Sequence, residues 1–497
     1  MRVLLMHRDR DFDPGGGLPE NTEDLTRDLG LEPLLQAMAS GDDFVYEVAR
    51  KALLEGLSEP EEILYRQRAL ADCLEEAEVV REIHRVAIEA IEGERKVFVG
   101  LLHDSPRSIL NRAVQVLGMF LEHLRRLRGL ADEHAGSFSS EAFGRFFEMV
   151  RRDLSDDYLA GVERHLGELE FSRGMLFSAR LGRGNRGRDY VLRVPRRQRL
   201  LERLPFGDRS GYGFTVPDRD VSGFRALDEL SDRGLNRVAD VTARSADNIL
   251  GFFELLRAEL VFYVGCLNLH DRLAARGEPL CFPTPELTEK KALSARGLYD
   301  VSLSLSVEGR VVGNDIDADG KGLVMITGAN QGGKSTFLRS VGLAQLMMQC
   351  GMFVPAGSFR ASVCSGVFTH YRREEDERMR SGKLDEELGR MGRIAERIGP
   401  GGMLLCNESF SSTNEREGSE MARQVVRAMV ESGVRVFFVT HLYDLARSLY
   451  DRRDGGMLFL RAERLPDGSR TFRLLPGEPL PTSYGWDSYR RIFDVRA

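Results

Sequence analysis

LVMITGANQGGKSTFLRSVGLAQLMMQCGMFVPA, from Leu323 to Ala356, decides how this chain is read. It opens with a short apolar run, Leu323 to Ile326, of the length and composition of a buried strand. Gly328, Ala329, Asn330, Gln331, Gly332, Gly333, Lys334 and Ser335 then satisfy G-x-x-x-x-G-K-[ST]. Beyond Lys334, the residues Phe337, Leu338, Val341, Leu343, Ala344, Leu346 and Met347 recur at helical spacing, so a helix follows the loop. Strand, glycine-rich loop and helix in that order make a phosphate cradle. The glycines let backbone N–H groups turn inward around phosphate oxygens, and the helix N-terminus adds its dipole. Lys334 can reach β- and γ-phosphates, and the Ser335 hydroxyl can sit on Mg²⁺. The bland alternative is a chance glycine-rich turn, which this full context disfavours.

Composition narrows the class. The chain has 497 residues, enough for about three domains. Hydrophobic content is 42% and charged content 30%, ordinary for a globular protein. No run approaches the ~18–20 apolar residues of a membrane span, and MRVLLMHRDRDFDPGGG at the N-terminus does not read as a signal peptide. The six cysteines are scattered without C-x-x-C or zinc spacing, which points to a reducing, cytoplasmic compartment. Net charge is −7, against nucleic-acid binding by the field of the whole protein. Locally the balance reverses: Arg180, Arg183, Arg186, Arg188, Arg193, Arg196, Arg197 and Arg199 face only Asp189 and Glu202 between Arg173 and Arg203. Such a stretch can grip a phosphate backbone, or be a solvated basic surface.

Along the chain, residues 1 to about 28 are polar and Gly/Pro-containing, and read as a loose leader or extended arm. Helical periodicity begins near Leu29, restarts at Pro60, and continues from Glu76 to about Glu170. Met175–Ala179 and Tyr190–Val194 are strand-like around Gly182-Arg-Gly-Asn-Arg-Gly187, which predicts a β-hairpin with a basic tip. Residues 196 to 223 are irregular, helical periodicity returns from Gly223 to His270, and Pro279, Pro283 and Pro285 mark a boundary. From Leu298 onward strands and helices alternate, as in a doubly wound parallel sheet.

Two strand ends bring further chemistry. Met403–Cys406 is a buried-strand run ending in Asn407-Glu408, where a carboxylate beside the phosphates can orient or deprotonate the attacking water. Val434–Thr440 leads to His441.

Asn330 with the double glycine, Ser335-Thr336 and Gly351-x-x-Val354-Pro355-Ala356 resemble the ATPase domain of the MutS DNA mismatch-repair family. Val311–Asp315 (VVGND), the segment 409–418 after Glu408, Thr440-His441, and Leu474–Gly477 followed by Ser483-Tyr484-Gly485 are similar to that family's other motifs, in the same order. The resemblance implies a multidomain protein: an all-α core and lever region over 29–284, with a basic hairpin near 173–194, followed by an α/β P-loop (ABC-type) ATPase domain over 285–497. It implies ATP and Mg²⁺ as ligands, phosphate contacts from residues 328–336 including Thr336, and metal contacts from Ser335, Asn407 and Glu408. Glu408 is then the general base and His441 the switch that senses the γ-phosphate. The family has Asp where this chain has Asn407; an amide still accepts from a metal-bound water but lacks the charge that holds the ion, implying weaker Mg²⁺ binding or slower turnover. Ser381, Lys383 and Thr413 fall where the family contacts a partner subunit, which implies a homodimer through the ATPase domains. Two Phe-x-Glu triplets, Phe146–Glu148 and Phe252–Glu254, match the spacing of the family's mismatch-reading pair but lie inside helical runs. The expectation is therefore a shortened form without mismatch recognition, acting on duplex or branched DNA. The competing expectation is a nucleotide-dependent switch or scaffold for a protein partner, favoured by the net charge and Asn407; a transport-type ATPase ranks last.

Overall fold

The computed structural model describes residues 1–97, 105–172, 174–185, 187–194, 213–373 and 382–481. Contacts divide it into two compact units: one of 1–3, 78–138 and 143–257, the other of 4–77, 139–142 and 258–497. The N-terminal part is helical and the C-terminal part carries the sheets.

The first unit contains the helices Pro106–His134 and Asp156–Leu169, all but the first residues of the helices Ala77–Lys96 and Glu141–Asp153, and residues 221–257 of the long helix Val221–Ala275. Its core is aromatic: Phe120 meets Phe253 at 5.6 Å, and Phe138, Phe143 and Phe147 interlock at 4.6–5.9 Å. Phe146 and Phe252, the aromatic members of both Phe-x-Glu triplets, are buried here, so their burial is packing. The expected hairpin is present as strands Leu176–Leu181 and Gly187–Arg193, paired antiparallel from Leu176↔Arg193 to Leu181↔Gly187. Its strands run further toward the tip than the sequence pattern indicates. A Cβ on Gly234 would lie 2.2 Å from the Phe177 ring, so only glycine lets that strand residue rest on the helix.

The second unit is built on a six-stranded sheet in the order Arg470–Pro476, Met457–Arg464, Leu323–Gly328, Arg435–Val439, Met403–Asn407, Val367–Tyr371. All neighbours are parallel except the antiparallel first pair. Alternate residues Leu323, Met325, Leu404, Cys406, Val436 and Phe438 share one cluster with Ala422, Val426, Leu445 and Met391 of helices Glu415–Glu431, Tyr443–Asp451 and Lys383–Arg397. That is period-2 burial on one face. The helix Lys334–Gln349 packs on the other, where a Cβ at its Gly342 would lie 2.7 Å from Leu405. A four-stranded sheet, Thr284–Glu286, Ser358–Ser362, Leu293–Leu298 and Asn314–Asp317, completes the unit.

The segment read as a loose leader is tied down. Leu5, Met6 and Phe12 are buried, and the Glu259 carboxylate accepts from their backbone N–H groups at 2.5, 3.1 and 2.8 Å. Polar composition concealed this because the anchoring bonds come from the backbone. The helix Thr22–Asp28 lies along the edge strand Val367–Tyr371, with Asn21 Nδ2 donating to Val367 O at 2.8 Å, and so covers an otherwise open sheet edge. The six cysteines are free thiols. Among the described residues no helix is long and apolar enough to cross a membrane.

Candidate functional site

Strand register assembles the site. Ile326 pairs with Val439, Val439 with Asn407, and Asn407 with Tyr371, so four parallel strands end level. The glycine-rich loop, Asn407-Glu408, Thr440-His441 and Arg372 therefore emerge together at the carboxyl edge of the sheet, where open α/β sheets bind ligands.

The loop needs its glycines. Gly328 has φ 110° and Gly333 φ 87°, and a Cβ on Gly332 would lie 2.7 Å from Ala462 Cβ and 2.9 Å from Ala329 O. Gln331 also takes positive φ, at 59°. Asn330 O accepts from Arg470 Nε at 3.2 Å, Ala329 is buried, and Thr336 lies in the first turn of the helix that Gly333 caps. Lys334 is buried, and its ammonium donates to Gly328 O at 3.0 Å and Ala329 O at 2.9 Å. Burial lowers its pKa to about 8, with Glu408 opposing that shift and Arg470 adding to it. The ammonium thus rests on carbonyls that phosphate oxygens can replace.

Ser335 Oγ donates to Asn407 Oδ1 at 2.9 Å. One residue on, Glu408 holds φ 56° and its N–H donates to Val439 O at 2.9 Å. Its Oε1 lies 2.8 Å from His441 Nε2, and its Oε2 lies 4.0 Å from Arg372 Nη1. The His441 hydrogen bond is the chief reason the carboxyl pKa falls below its ordinary value, against burial; Lys334 and Arg372 add to the lowering. An ionised carboxylate only accepts, so His441 Nε2 carries the proton.

Behind Glu408, Ser409 and Phe410 are fully buried, and Phe410 has φ 62°. Ser409 Oγ lies 2.7 Å from His370 Nδ1, whose Nε2 lies 3.0 Å from Glu387 O. Burial, aided by Arg390, takes the His370 pKa down to about 4, so the ring is neutral near pH 7. Nε2–H donates to the Glu387 carbonyl and Nδ1 accepts from the Ser409 hydroxyl. This ties the backbone after Glu408 to the helix Lys383–Arg397.

The loop opens into a cavity of about 790 Å³, lined among others by Tyr299, Val312, Asn330, Arg372, Glu408 and Phe472. Asn314 closes one wall: Nδ2 donates to Phe472 O at 3.1 Å and Oδ1 accepts from Leu474 N at 2.7 Å. The open phosphate cradle, buried ammonium and volume suit a nucleotide. Among the described residues no three His, Cys, Asp or Glu side chains could hold a metal by themselves. A divalent ion would have the Ser335 hydroxyl, the Asn407 amide oxygen and the Glu408 carboxylate, with phosphates and water completing its shell. These oxygens fit Mg²⁺, with one formal charge among them.

Other expected residues do not line this cavity. Thr413 Oγ1 donates to Glu417 Oε2 at 2.8 Å, and Lys383 begins the helix Lys383–Arg397. Arg180, Arg183 and Arg188 are exposed on the hairpin of the first unit. Ser381, Arg186 and the Ser483-Tyr484-Gly485 motif lie outside the described residues. Sequence reasoning missed Arg372 and His370, and gave Ser409 no role beyond its place in the segment 409–418. The register of the edge strand brings Arg372 to the site, and no motif announces it.

A β–loop–α turn with a carboxylate at a neighbouring strand end, on a mainly parallel sheet flanked by helices, defines an α/β unit whose cavity opens at the strand ends. Residues 58–276 match the MutS2 N-terminal domain and residues 324–484 match MutS domain V. The chain is 28% identical over 265 residues to the DNA mismatch repair protein MutS of Chloroflexus aurantiacus, covering 49% of this chain and 27% of that protein. It is 31% identical over 197 residues to the MutS of Clostridium kluyveri, covering 38% and 22%, and 27% identical over 316 residues to human MutS protein homolog 4, covering 60% and 32%. The chain belongs to the MutS family. Its matches span about a quarter to a third of the length of these relatives.

Proposed function

We propose that this protein is a MutS-like, Mg²⁺-dependent ATPase whose nucleotide cycle drives a conformational switch on duplex or branched DNA. The observation that carries the reading is the common strand-end level of Lys334, Ser335–Asn407 and Glu408–His441. Lys334 exchanges the Gly328 and Ala329 carbonyls for β- and γ-phosphate oxygens. Bound Mg²⁺ would screen phosphate charge, with Ser335, Asn407 and Glu408 on its side of the site. Glu408 accepts a proton from the water whose oxygen bonds to the γ-phosphorus as the bond to the β-phosphate oxygen breaks. His441 fixes the carboxylate that does this, and senses the γ-phosphate through it.

Residues 285–497 act as a P-loop ATPase domain in this reading, and 29–284 as core and lever. Ser381, Lys383 and Thr413 meet a second copy. The exposed Arg180, Arg183 and Arg188, with Arg186, supply DNA backbone contacts from a cytoplasmic protein. Burial of Phe146 and Phe252 supports a role other than mismatch reading by those triplets. The net charge of −7 favours a second reading, a nucleotide-dependent protein switch that does not bind DNA.

Mg²⁺-ATP turnover with and without branched duplex DNA separates the two. DNA-stimulated turnover supports the first reading. Turnover indifferent to DNA, with no salt-sensitive DNA binding, supports the second. Absence of nucleotide binding ends both.

A further inference from the structure

We propose that Arg372 is a further phosphate-contacting residue: its guanidinium leaves Glu408 and grips the terminal phosphate of a bound nucleoside triphosphate. This rests on the nucleotide reading above and adds a residue to the same site.

The Arg372 backbone is fixed while its side chain is available. Its N–H donates to Asn407 O at 2.9 Å, and the preceding Tyr371 O accepts from Arg390 Nη1 at 2.8 Å, so Arg372 Cα stands at the rim beside Asn407. The side chain is 48% exposed and lines the same cavity as Lys334, Ser335 and Glu408. Its hold on Glu408 is loose: 4.0 Å is beyond hydrogen-bond reach, whereas the other carboxylate oxygen has His441 Nε2 at 2.8 Å. A half-exposed pair of this kind contributes little, so the guanidinium can change partner at small cost.

Charge gives it reason to move. The Ser335 hydroxyl and Asn407 amide bring no formal charge to the phosphate side of the site. A triphosphate differs from a diphosphate by one strongly anionic group, and the planar guanidinium fork matches two oxygens of that group at once. With Arg372 on the phosphate, Glu408 Oε2 is left to accept from the attacking water while Oε1 stays on His441.

The test compares the full chain with Arg372→Ala and Arg372→Lys, measuring affinity for ADP and for the non-hydrolysable β,γ-imido analogue of ATP by calorimetry. Arg372→Ala is expected to weaken analogue binding about 10- to 100-fold, the range of a lost charge-assisted contact, and to change ADP binding less than about twofold. Arg372→Lys should fall between, because a point charge replaces a fork. Retained ADP affinity shows that the variant is folded. Analogue affinity equal to wild type, or parallel loss of both nucleotides, overturns the role of Arg372 while leaving the nucleotide site. Wild-type protein that binds neither nucleotide overturns the site itself and Arg372 with it.

Discussion

His441 Nε2 lies 2.8 Å from Glu408 Oε1, although the two residues leave different strands of the sheet. Register makes the meeting: Val439 pairs with Asn407, so the chains that turn upward from these strands do so side by side. The hydrogen bond favours the charged carboxylate and fixes one of its oxygens, and a Glu408 backbone at φ 56° aims it. Position, protonation state and direction are thus set by separate interactions.

Glu408→Gln keeps the size of the side chain and removes its basicity. ATP turnover is expected to fall at least about 100-fold, the usual worth of a general base, with nucleotide affinity nearly unchanged. His441→Ala should cost less, about 10- to 100-fold, because the carboxylate remains but is no longer oriented. Steady-state turnover beside equilibrium nucleotide binding measures both. Full activity in Glu408→Gln would move the base elsewhere.

Phe410 sets two effects against each other. Its φ of 62° is strained for a non-glycine residue, at a cost of roughly 1–3 kcal/mol, yet its ring is fully buried and stacks on His370 at 5.7 Å. Truncating a buried phenylalanine costs about 3–5 kcal/mol, so burial wins and Phe410→Gly should destabilise the fold despite relieving the backbone. Phe410→Ala keeps the strain and loses the ring, and should be about 1 kcal/mol less stable than Phe410→Gly. Urea unfolding of the three proteins checks the order; Ala above Gly would mean that the backbone is unstrained.

The sequence announces the parts of this site that lie next to one another along the chain. The loop from Gly328 to Ser335 carries its own signature because phosphate chemistry demands those residues consecutively, and the apolar run ending at Asn407 marks where Glu408 emerges. Arg372 has no such signature. It joins the site through the pairing of Tyr371 with Asn407, a relation between distant strands that periodicity does not encode. The N-terminal arm misleads for a similar reason: residues 1–28 look unstructured by composition, while Glu259, far away in sequence, holds their backbone.

Glu259 makes stability depend on pH in an unusual direction. Burial raises its pKa from 4.5 to about 7, more than the three backbone donors lower it. Between those values the native chain holds a proton that the unfolded chain has lost, so stability falls as pH rises through this window and levels above it. The size is about 3 kcal/mol at one pKa unit per 1.36 kcal/mol. Glu259→Gln cannot titrate, and its amide would turn N–H donors toward the backbone donors of the arm. It should be less stable than wild type, with the deficit larger at pH 5 than at pH 8. Thermal unfolding at both pH values measures this; a deficit that grows with pH would mean that the carboxylate is held in its charged form.

The hairpin arginines give the DNA reading its sharpest test. Arg180, Arg183 and Arg188 are exposed, and none of the three lies in the unit that holds the cavity beside Lys334. Each arginine that neutralises a backbone phosphate adds about 0.9 to the slope of log affinity against log salt. Replacing all three by Ser should therefore weaken DNA binding and lower that slope by about 2 to 3, with nucleotide affinity unchanged. The weakening should be similar for different sequences, since phosphate contacts position a protein without reading bases. An unchanged slope with intact DNA binding would assign the contact to another surface. Loss of nucleotide binding in the same variant would mean instead that the substitutions had damaged the fold. Binding isotherms at three or four salt concentrations distinguish these outcomes, because counterion release changes the slope and misfolding lowers the active fraction at every salt alike.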